Sequence, residues 1–417
     1  MIKFNRMIKT INMIKALWIS SIILWAVAIS PILRSSWAGD DWPNSQVPYW
    51  IEWRKGSLNF VLIIQEALYW SRAWALGQGR FYPLAYIEGR LQFSYLQQLW
   101  QYKLCQYILL VLCGIVFAIL VLKLSKSNLL AITTLLSLSL TTQFRAGFDP
   151  HLAFSSMVAS MLIKIFLASI IINYVATNNK KIKSLKLSYL SAGLYFAAMS
   201  TYEFAFLLFP LLLISYKLGI ENNNTVENNF KLAKWLDHTL MKLFSRNFRP
   251  IFYSWLIYGV LVFGILRNIA KDISGVYVLG FSVKSIPVFL SQIPTGLPFI
   301  KFSGIYFEKL FNNYISVVVL AILISLIYAL RKKVFYFKVE KTKYKISRVP
   351  LLFVSILFIC VPGAVLSLQV DWWNRYSVSN TYLGVMITEF GTALLLALIF
   401  ERFFFRKYVA KYSKETK

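Results

Sequence analysis

Residues 315–330 read Ile-Ser-Val-Val-Val-Leu-Ala-Ile-Leu-Ile-Ser-Leu-Ile-Tyr-Ala-Leu, a run with no charge and no alternation of polar and apolar positions. A hydrocarbon core about 30 Å thick takes about 20 helical residues to cross. Inside it every backbone N–H and C=O must be satisfied, so a spanning segment is a helix or part of a closed barrel. A barrel strand would be about 10 residues of alternating polarity. This run has the pattern of a membrane helix, and runs like it recur along the chain.

The composition agrees. Of 417 residues, 58% are hydrophobic and 15% are charged, against about 25% charged in a soluble domain. Mean hydropathy is +0.59. The net charge of +28 would point to nucleic acid in a soluble chain. Here the lysines and arginines fall in short blocks between apolar runs, which is the positive-inside pattern of a membrane protein. No nucleic-acid partner is expected. Cys105, Cys113 and Cys360 lie in apolar runs without metal-site or CxxC spacing.

The chain therefore reads as a single all-α domain over 1–417, a polytopic transmembrane helical bundle of about ten spans. These fall near 16–33, 104–122, 127–143, 152–175, 187–200, 203–219, 251–268, 312–330, 349–367 and 381–401. With ten spans the basic clusters all fall on one side. They are Lys3 to Lys15, Lys123/Lys126, Lys180 to Lys186, Lys231 to Arg249, Arg331 to Arg348 and Arg402 to Lys417. That side is the cytoplasm, with both termini inside, and the expected location is a bacterial inner membrane. The alternative for residues 1–38 is a signal peptide ending at Ser36-Trp37-Ala38.

Acidic residues gather on the opposite face. Asp40, Asp41, Glu52, Glu66, Glu88, Asp149, Glu203, Asp272, Glu308 and Asp371 map there, with Arg80, Arg90, Arg145, His151 and Arg375. A pore or flippase would place some of its charge at the midplane, so this distribution favours chemistry at the outer interface. The loop at 34–103 opens with Gly39-Asp40-Asp41-Trp42-Pro43, whose glycine and proline put both carboxylates on a turn. Adjacent side chains there point apart, so one faces a site while the other is bound to backbone or a cation. Leu58 to Leu76 and Leu84 to Trp100 read as interfacial helices separated by Gly77 to Pro83.

Other external residues have chemical potential. Asp149 beside His151 is either a base with its orienting acid or a metal-ligand pair, and a structural histidine is the plainer reading. Glu203 stands at the top of a helical hairpin, lining a site or capping the turn. The loop 269–311, with Pro287, Pro294, Gly296 and Pro298, is apolar enough to dip into the bilayer surface. Asp371-Trp372-Trp373-Asn374-Arg375 holds an arginine among aromatics, a natural phosphate clamp. Lys164 lies inside span four, where an ammonium needs a partner; Glu389 or a backbone carbonyl is expected.

A first span followed at once by an Asp-Asp loop with interfacial helices resembles the GT-C superfamily of membrane glycosyltransferases. Gly39-Asp40-Asp41 and Gly79-Arg80 carry the motif likeness. With the charged final loop, the chain is most similar to bacterial polyprenyl-phosphate-sugar transferases, including serotype-converting glucosyltransferases. The resemblance implies a polyprenyl-phosphate-linked sugar donor and a glycan or lipid acceptor. It implies Asp40 or Asp41 as general base, with Arg80 and Arg375 offsetting charge on the phosphate. Asp371, Glu203, Asp149 and His151 are further candidates to line that site. No cofactor is required, though a divalent metal is compatible, and the chain has no Gly-rich nucleotide-binding unit. The alternatives are a polymerase or ligase, or a transporter, of lipid-linked sugars. A transporter would show internal repeats or broken midplane helices, and neither is visible.

Overall fold

The structure is a computed structural model that describes residues 2–142, 151, 156–178, 181–221, 241–270, 278–296, 348–373 and 384–402. The apolar run at 312–330, Asp149, Arg375, Arg145, Asp272 and Glu308 lie outside these residues. Among the described residues all regular elements are helical, apart from an isolated antiparallel bridge between Leu279 and Gln369.

The chain begins with α1 (Ile2–Ile29), which a 3-10 turn extends to Arg34. Four helices without a full apolar span follow: α2 (Asp41–Ser45), α3 (Val47–Lys55), α4 (Phe60–Gln78) and α5 (Pro83–Tyr95). The bundle continues with α6 (Leu99–Ser125), α7 (Asn128–Thr141), α8 (Met157–Asn178) and α9 (Lys181–Thr201). Then come α10 (Phe204–Leu207), α11 (Phe209–Glu221) and α12 (Arg249–Gly259). A π-helical turn, Val260–Leu266, joins α12 to the short α13 (Arg267–Ile269). The last three are α14 (Ser285–Gln292), α15 (Val349–Ser367) and α16 (Val385–Phe400).

Among the described residues, five segments are long and apolar enough to cross a membrane: Ile14–Arg34, Leu99–Ser125, Met157–Asn178, Arg249–Ile269 and Val349–Ser367. The chain is thus an all-α integral membrane protein. α7 and α16 are shorter apolar helices. α4 is 19 residues long but is not among the five. It buries a single stripe, Ile63, Ala67, Ser71 and Ala75 at four-residue spacing, and leaves Phe60, Val61, Leu68 and Tyr69 exposed. Trp42, Trp50 and Trp53 on α2 and α3 are exposed as well, Trp53 to 82%. Such a ring of outward aromatics suits lipid headgroups. The helices α2 and α3 were not expected from the sequence, which placed only a turn there.

The core is centred on α16, whose residues from Val385 to Leu394 are all buried. Phe390 meets Phe117 of α6 and Phe166 of α8 at ring-centroid distances of 4.9 and 5.7 Å. α16 packs between α15 and α7 and against the turn Ile293–Gly296. Small residues let backbones approach, as is usual between membrane helices. Ser355 of α15 donates to the Gly391 carbonyl at 2.8 Å. Asn173 of α8 donates to the Ser215 carbonyl of α11 at 2.7 Å. A Cβ on Gly219 would stand 2.5 Å from the Asn173 carbonyl oxygen and 2.6 Å from Ala176 Cβ. Gly219→Ala is expected to cost about 1–3 kcal/mol by overpacking, read as a lowered midpoint of thermal unfolding in detergent; an unchanged midpoint would show that α8 and α11 separate freely.

At the bundle end opposite α2–α5, Arg348 clips three helix ends together. Its Nε and NH2 donate to Glu401 at 2.9 and 2.7 Å, and NH1 donates to the Ser125 carbonyl at 2.9 Å.

Candidate functional site

Gly39, at φ +55°, makes the turn that leads into α2, a conformation glycine adopts without a steric penalty. The two carboxylates after it part company. Asp41 is fully buried and accepts from the Tyr102 hydroxyl at 2.6 Å, and Gln106 Nε2 donates to that hydroxyl at 3.0 Å. Around them Trp37, Phe93 and Tyr102 pack ring to ring, with centroids 4.9 to 6.0 Å apart. The buried Lys103 holds its ammonium 5.5 Å from the Tyr102 ring centroid. Asp40 is exposed, yet partial desolvation by the surrounding protein raises its carboxyl above the ordinary value. One aspartate is anchored and the other is presented. Side chains such as Tyr102 and Gln106, one turn apart at the head of a span, mark the anchor in sequence; an expected start at 104 left Tyr102 outside the helix.

Arg90 of α5 reaches the same turn. Its NH1 donates to Asn44 Oδ1 at 2.9 Å, and Asn44 N donates to the Asp40 carbonyl at 3.1 Å. The side chain is buried, and Nε has no hydrogen-bond partner among the described residues. Burial lowers the proton affinity of this guanidinium, with Glu66 and Tyr86 opposing that effect.

Arg80 takes a different partner. Its Nε donates to Glu203 Oε1 at 2.9 Å, and its guanidinium lies 4.7 Å from the Tyr82 ring centroid. Burial opposes the Arg80 charge, but Glu203 beside it holds the group more firmly protonated than usual. Gly79, at φ +67°, lets this loop touch α13: a Cβ there would lie 2.9 Å from Arg267 Cα. The Tyr258 hydroxyl donates to the Phe81 carbonyl at 2.8 Å, which fastens the same loop to α12. Glu203 thus stands at the α9–α10 hairpin, as its position in the sequence implied, and Arg267 is a second cation near it that sequence reading passed over.

Directly along α12 from this cluster runs an open apolar groove of about 430 Å³, lined by Phe206, Trp255, Gly259, Val260, Phe263 and Gly264. Phe206 stacks on Trp255 at 5.0 Å. The groove includes the π-helical turn and reaches within one helical turn of Arg267.

Lys164 corrects one expectation. It bonds Glu88 of α5, with further bonds to Ser160 Oγ at 2.6 Å and Thr201 Oγ1 at 2.9 Å; Ser160 Oγ donates to Glu88 Oε2 at 2.6 Å. The expectation was Glu389 or a backbone carbonyl, out of reach of the external carboxylates; Glu389 is held elsewhere, and Glu88 is one of those carboxylates. The reason is depth: α8 begins at Met157, so Lys164 is two turns from the helix end, and α5 lowers Glu88 to meet it. Glu389 instead has its Oε2 2.9 Å from Nε2 of His151, both fully buried, and its carbonyl accepts from Thr141 Oγ1 at 3.3 Å. His151 is therefore packed in the bundle, away from solvent.

The final loop is bound to the loop before it. Gly280 N donates to the Leu368 carbonyl at 2.8 Å, and Val370 N to the Val278 carbonyl at 3.0 Å. Asp371 lies in the following 3-10 turn, Val370–Trp373. In the preceding loop Phe281 and Val283 are each 82% exposed. Among the described residues, no three His, Cys, Asp or Glu side chains gather where a metal ion could be held. No protein-family model, no curated protein and no solved structure matches this chain, so the functional argument rests on its own residues.

Proposed function

We propose that the protein is a GT-C-type glycosyltransferase of about ten spans, acting at the external face of a bacterial inner membrane with both termini inside. It moves a sugar from a polyprenyl-phosphate donor to an envelope glycan or lipid acceptor. The observation that carries this reading is the divided aspartate pair: Asp41 is locked to Tyr102 while Asp40 is presented with a raised proton affinity. A base for an alcohol works best when its pKa is lifted toward the working pH.

In the proposed reaction the acceptor hydroxyl oxygen attacks the anomeric carbon. The bond from that carbon to the phosphate oxygen breaks, and the electron pair leaves with the lipid phosphate. The hydroxyl proton passes to Asp40. Asp41 positions the turn through Tyr102. Two features support a lipid donor: the open apolar groove on α12, and Arg267 about one helical turn beyond its lining residue Gly264, with the Gly79-Arg80 loop against it. The clip of Arg348 supports one part of the topology, since it joins ends of α6, α15 and α16 that the basic clusters place together on the cytoplasmic side.

The test is transfer of radiolabelled sugar from a panel of polyprenyl-phosphate sugars to cell-envelope acceptors by membranes containing the protein. Transfer by the wild type supports the reading. Movement of labelled lipid between leaflets without donor consumption would replace it with transport.

A further inference from the structure

Most of the partly buried cations of this protein sit on carboxylates. Arg80 has Glu203, Lys164 has Glu88, and Arg348 has Glu401. Arg90 breaks the pattern. It is 7% exposed, yet no carboxylate lies within ion-pair distance of it among the described residues. One neutral acceptor, Asn44 Oδ1, takes NH1, and among the described residues the buried Nε has no acceptor. Glu66 acts on Arg90 electrostatically without reaching ion-pair distance. A buried charge with no direct counter-ion is costly, and a guanidinium fork left partly unused is shaped for a second, planar set of oxygens. Its place is also specific. Asn44 joins Arg90 by its side chain and the Asp40 carbonyl by its backbone, so this cation is tied to the turn that carries the presented carboxylate. Phe93, one turn further on α5, belongs to the aromatic packing around Tyr102.

The geometry points to Arg90 as the anchor of a phosphate-binding subsite beside Asp40, distinct from the Glu203-neutralised Arg80. That the phosphate belongs to the sugar donor rests on the transferase reading; the anion site itself stands on the Arg90 geometry. In that arrangement the departing phosphate and the base occupy opposite ends of Asn44. Arg80 and Arg267 then guide the lipid to the site and do not hold the reacting phosphate. Burial, which weakens the hold of Arg90 on its proton, is offset once an anion arrives.

The subsite is tested by binding, with no sugar and no acceptor present. Protein in phosphatidylcholine nanodiscs is titrated with a radiolabelled polyprenyl phosphate. Arg90→Gln is expected to weaken binding by about tenfold to a hundredfold, the range for a hydrogen-bonded charged contact, and Arg90→Lys by less. Asn44→Asp is the sharper variant, because it places a carboxylate on Arg90 and makes it resemble Arg80. It should weaken binding as much as Arg90→Gln while leaving thermal stability equal or higher, which a purely structural role for Arg90 would not produce. Arg54→Gln, which removes an exposed cation over Trp50, should stay within twofold of wild type. Competition by inorganic phosphate at concentrations similar to the lipid would identify the headgroup alone as the ligand. Competition by lipid phosphate only would show that the chain contributes, and the Arg90 subsite stands in both cases. Binding by Arg90→Gln and Asn44→Asp within twofold of wild type, or no binding by wild type, overturns it. If the wild type transfers sugar and Asn44→Asp transfers equally well, the subsite fails and the transferase survives. If binding depends on Arg90 but no sugar moves, the reverse holds.

Discussion

Asp40→Asn loses sugar transfer by roughly 10²- to 10⁴-fold, the range expected when a general base is removed, while its unfolding midpoint stays that of the wild type. The amide matches the carboxylate in shape but cannot take a proton, and an exposed side chain leaves no buried partner behind. Asp41→Asn behaves differently. The amide oxygen can still accept from Tyr102, so much of the anchoring remains and the loss is smaller. Asp41→Ala leaves the Tyr102 hydroxyl without its acceptor in a buried site, which costs about 1–3 kcal/mol and lowers the unfolding midpoint. The wild-type rate is expected to rise with pH through a pKa above the ordinary carboxylate value, since only ionised Asp40 is a base. The rise disappears in Asp40→Asn. Full activity in Asp40→Asn would remove the base from this position and make the pair structural.

The second large effect concerns Lys164. Removing Glu88 by Glu88→Gln leaves an ammonium among Ser160 and Thr201 in the upper part of the bundle, and Lys164→Met leaves the carboxylate behind. Breaking a buried pair by one partner costs about 3–5 kcal/mol. Both side chains keep some exposure, 17% for Lys164 and 29% for Glu88, so the low end of that range, about 3 kcal/mol, is expected for each single change. Glu88→Met with Lys164→Met together should recover most of the loss, because neither charge then remains. Thermal unfolding of the singles and the double in the same detergent measures the coupling. Strictly additive losses would show that the pair does not hold α5 on α8.

The apolar spans were legible because lipid imposes a length and a composition on each helix. The long helices α1, α6, α8 and α15 fall on expected stretches for that reason. Helix α9 runs from Lys181 to Thr201, beyond the expected 187–200, since lysines at a membrane boundary continue a helix that hydropathy alone ends early. The helices α2 and α3 were not legible because Gly39 and Pro43 suggest an irregular turn, yet Pro43 and Pro48 are both compatible with a helix start. Both lie in first turns, where the backbone N–H has no intrahelical acceptor to lose. The turn at Gly39 and the parting of Asp40 from Asp41 were expected. Which of the two is buried was not, because the choice is made by Tyr102, 61 positions away. The same limit explains Lys164: the sequence shows a charge that needs a partner, and tertiary packing alone selects Glu88 over Glu389.

The position of α16 has a consequence for how the protein comes into being. Ribosomes deliver the chain from its beginning, so α16 emerges after every other helix described, yet it occupies the middle of the bundle. The earlier helices must therefore enter the bilayer around a slot about 10 Å wide, filled for a time by lipid. Insertion of α16 displaces that lipid and carries Glu389 inward to His151. A nascent chain halted before residue 385 would present the empty slot to the cell's quality control.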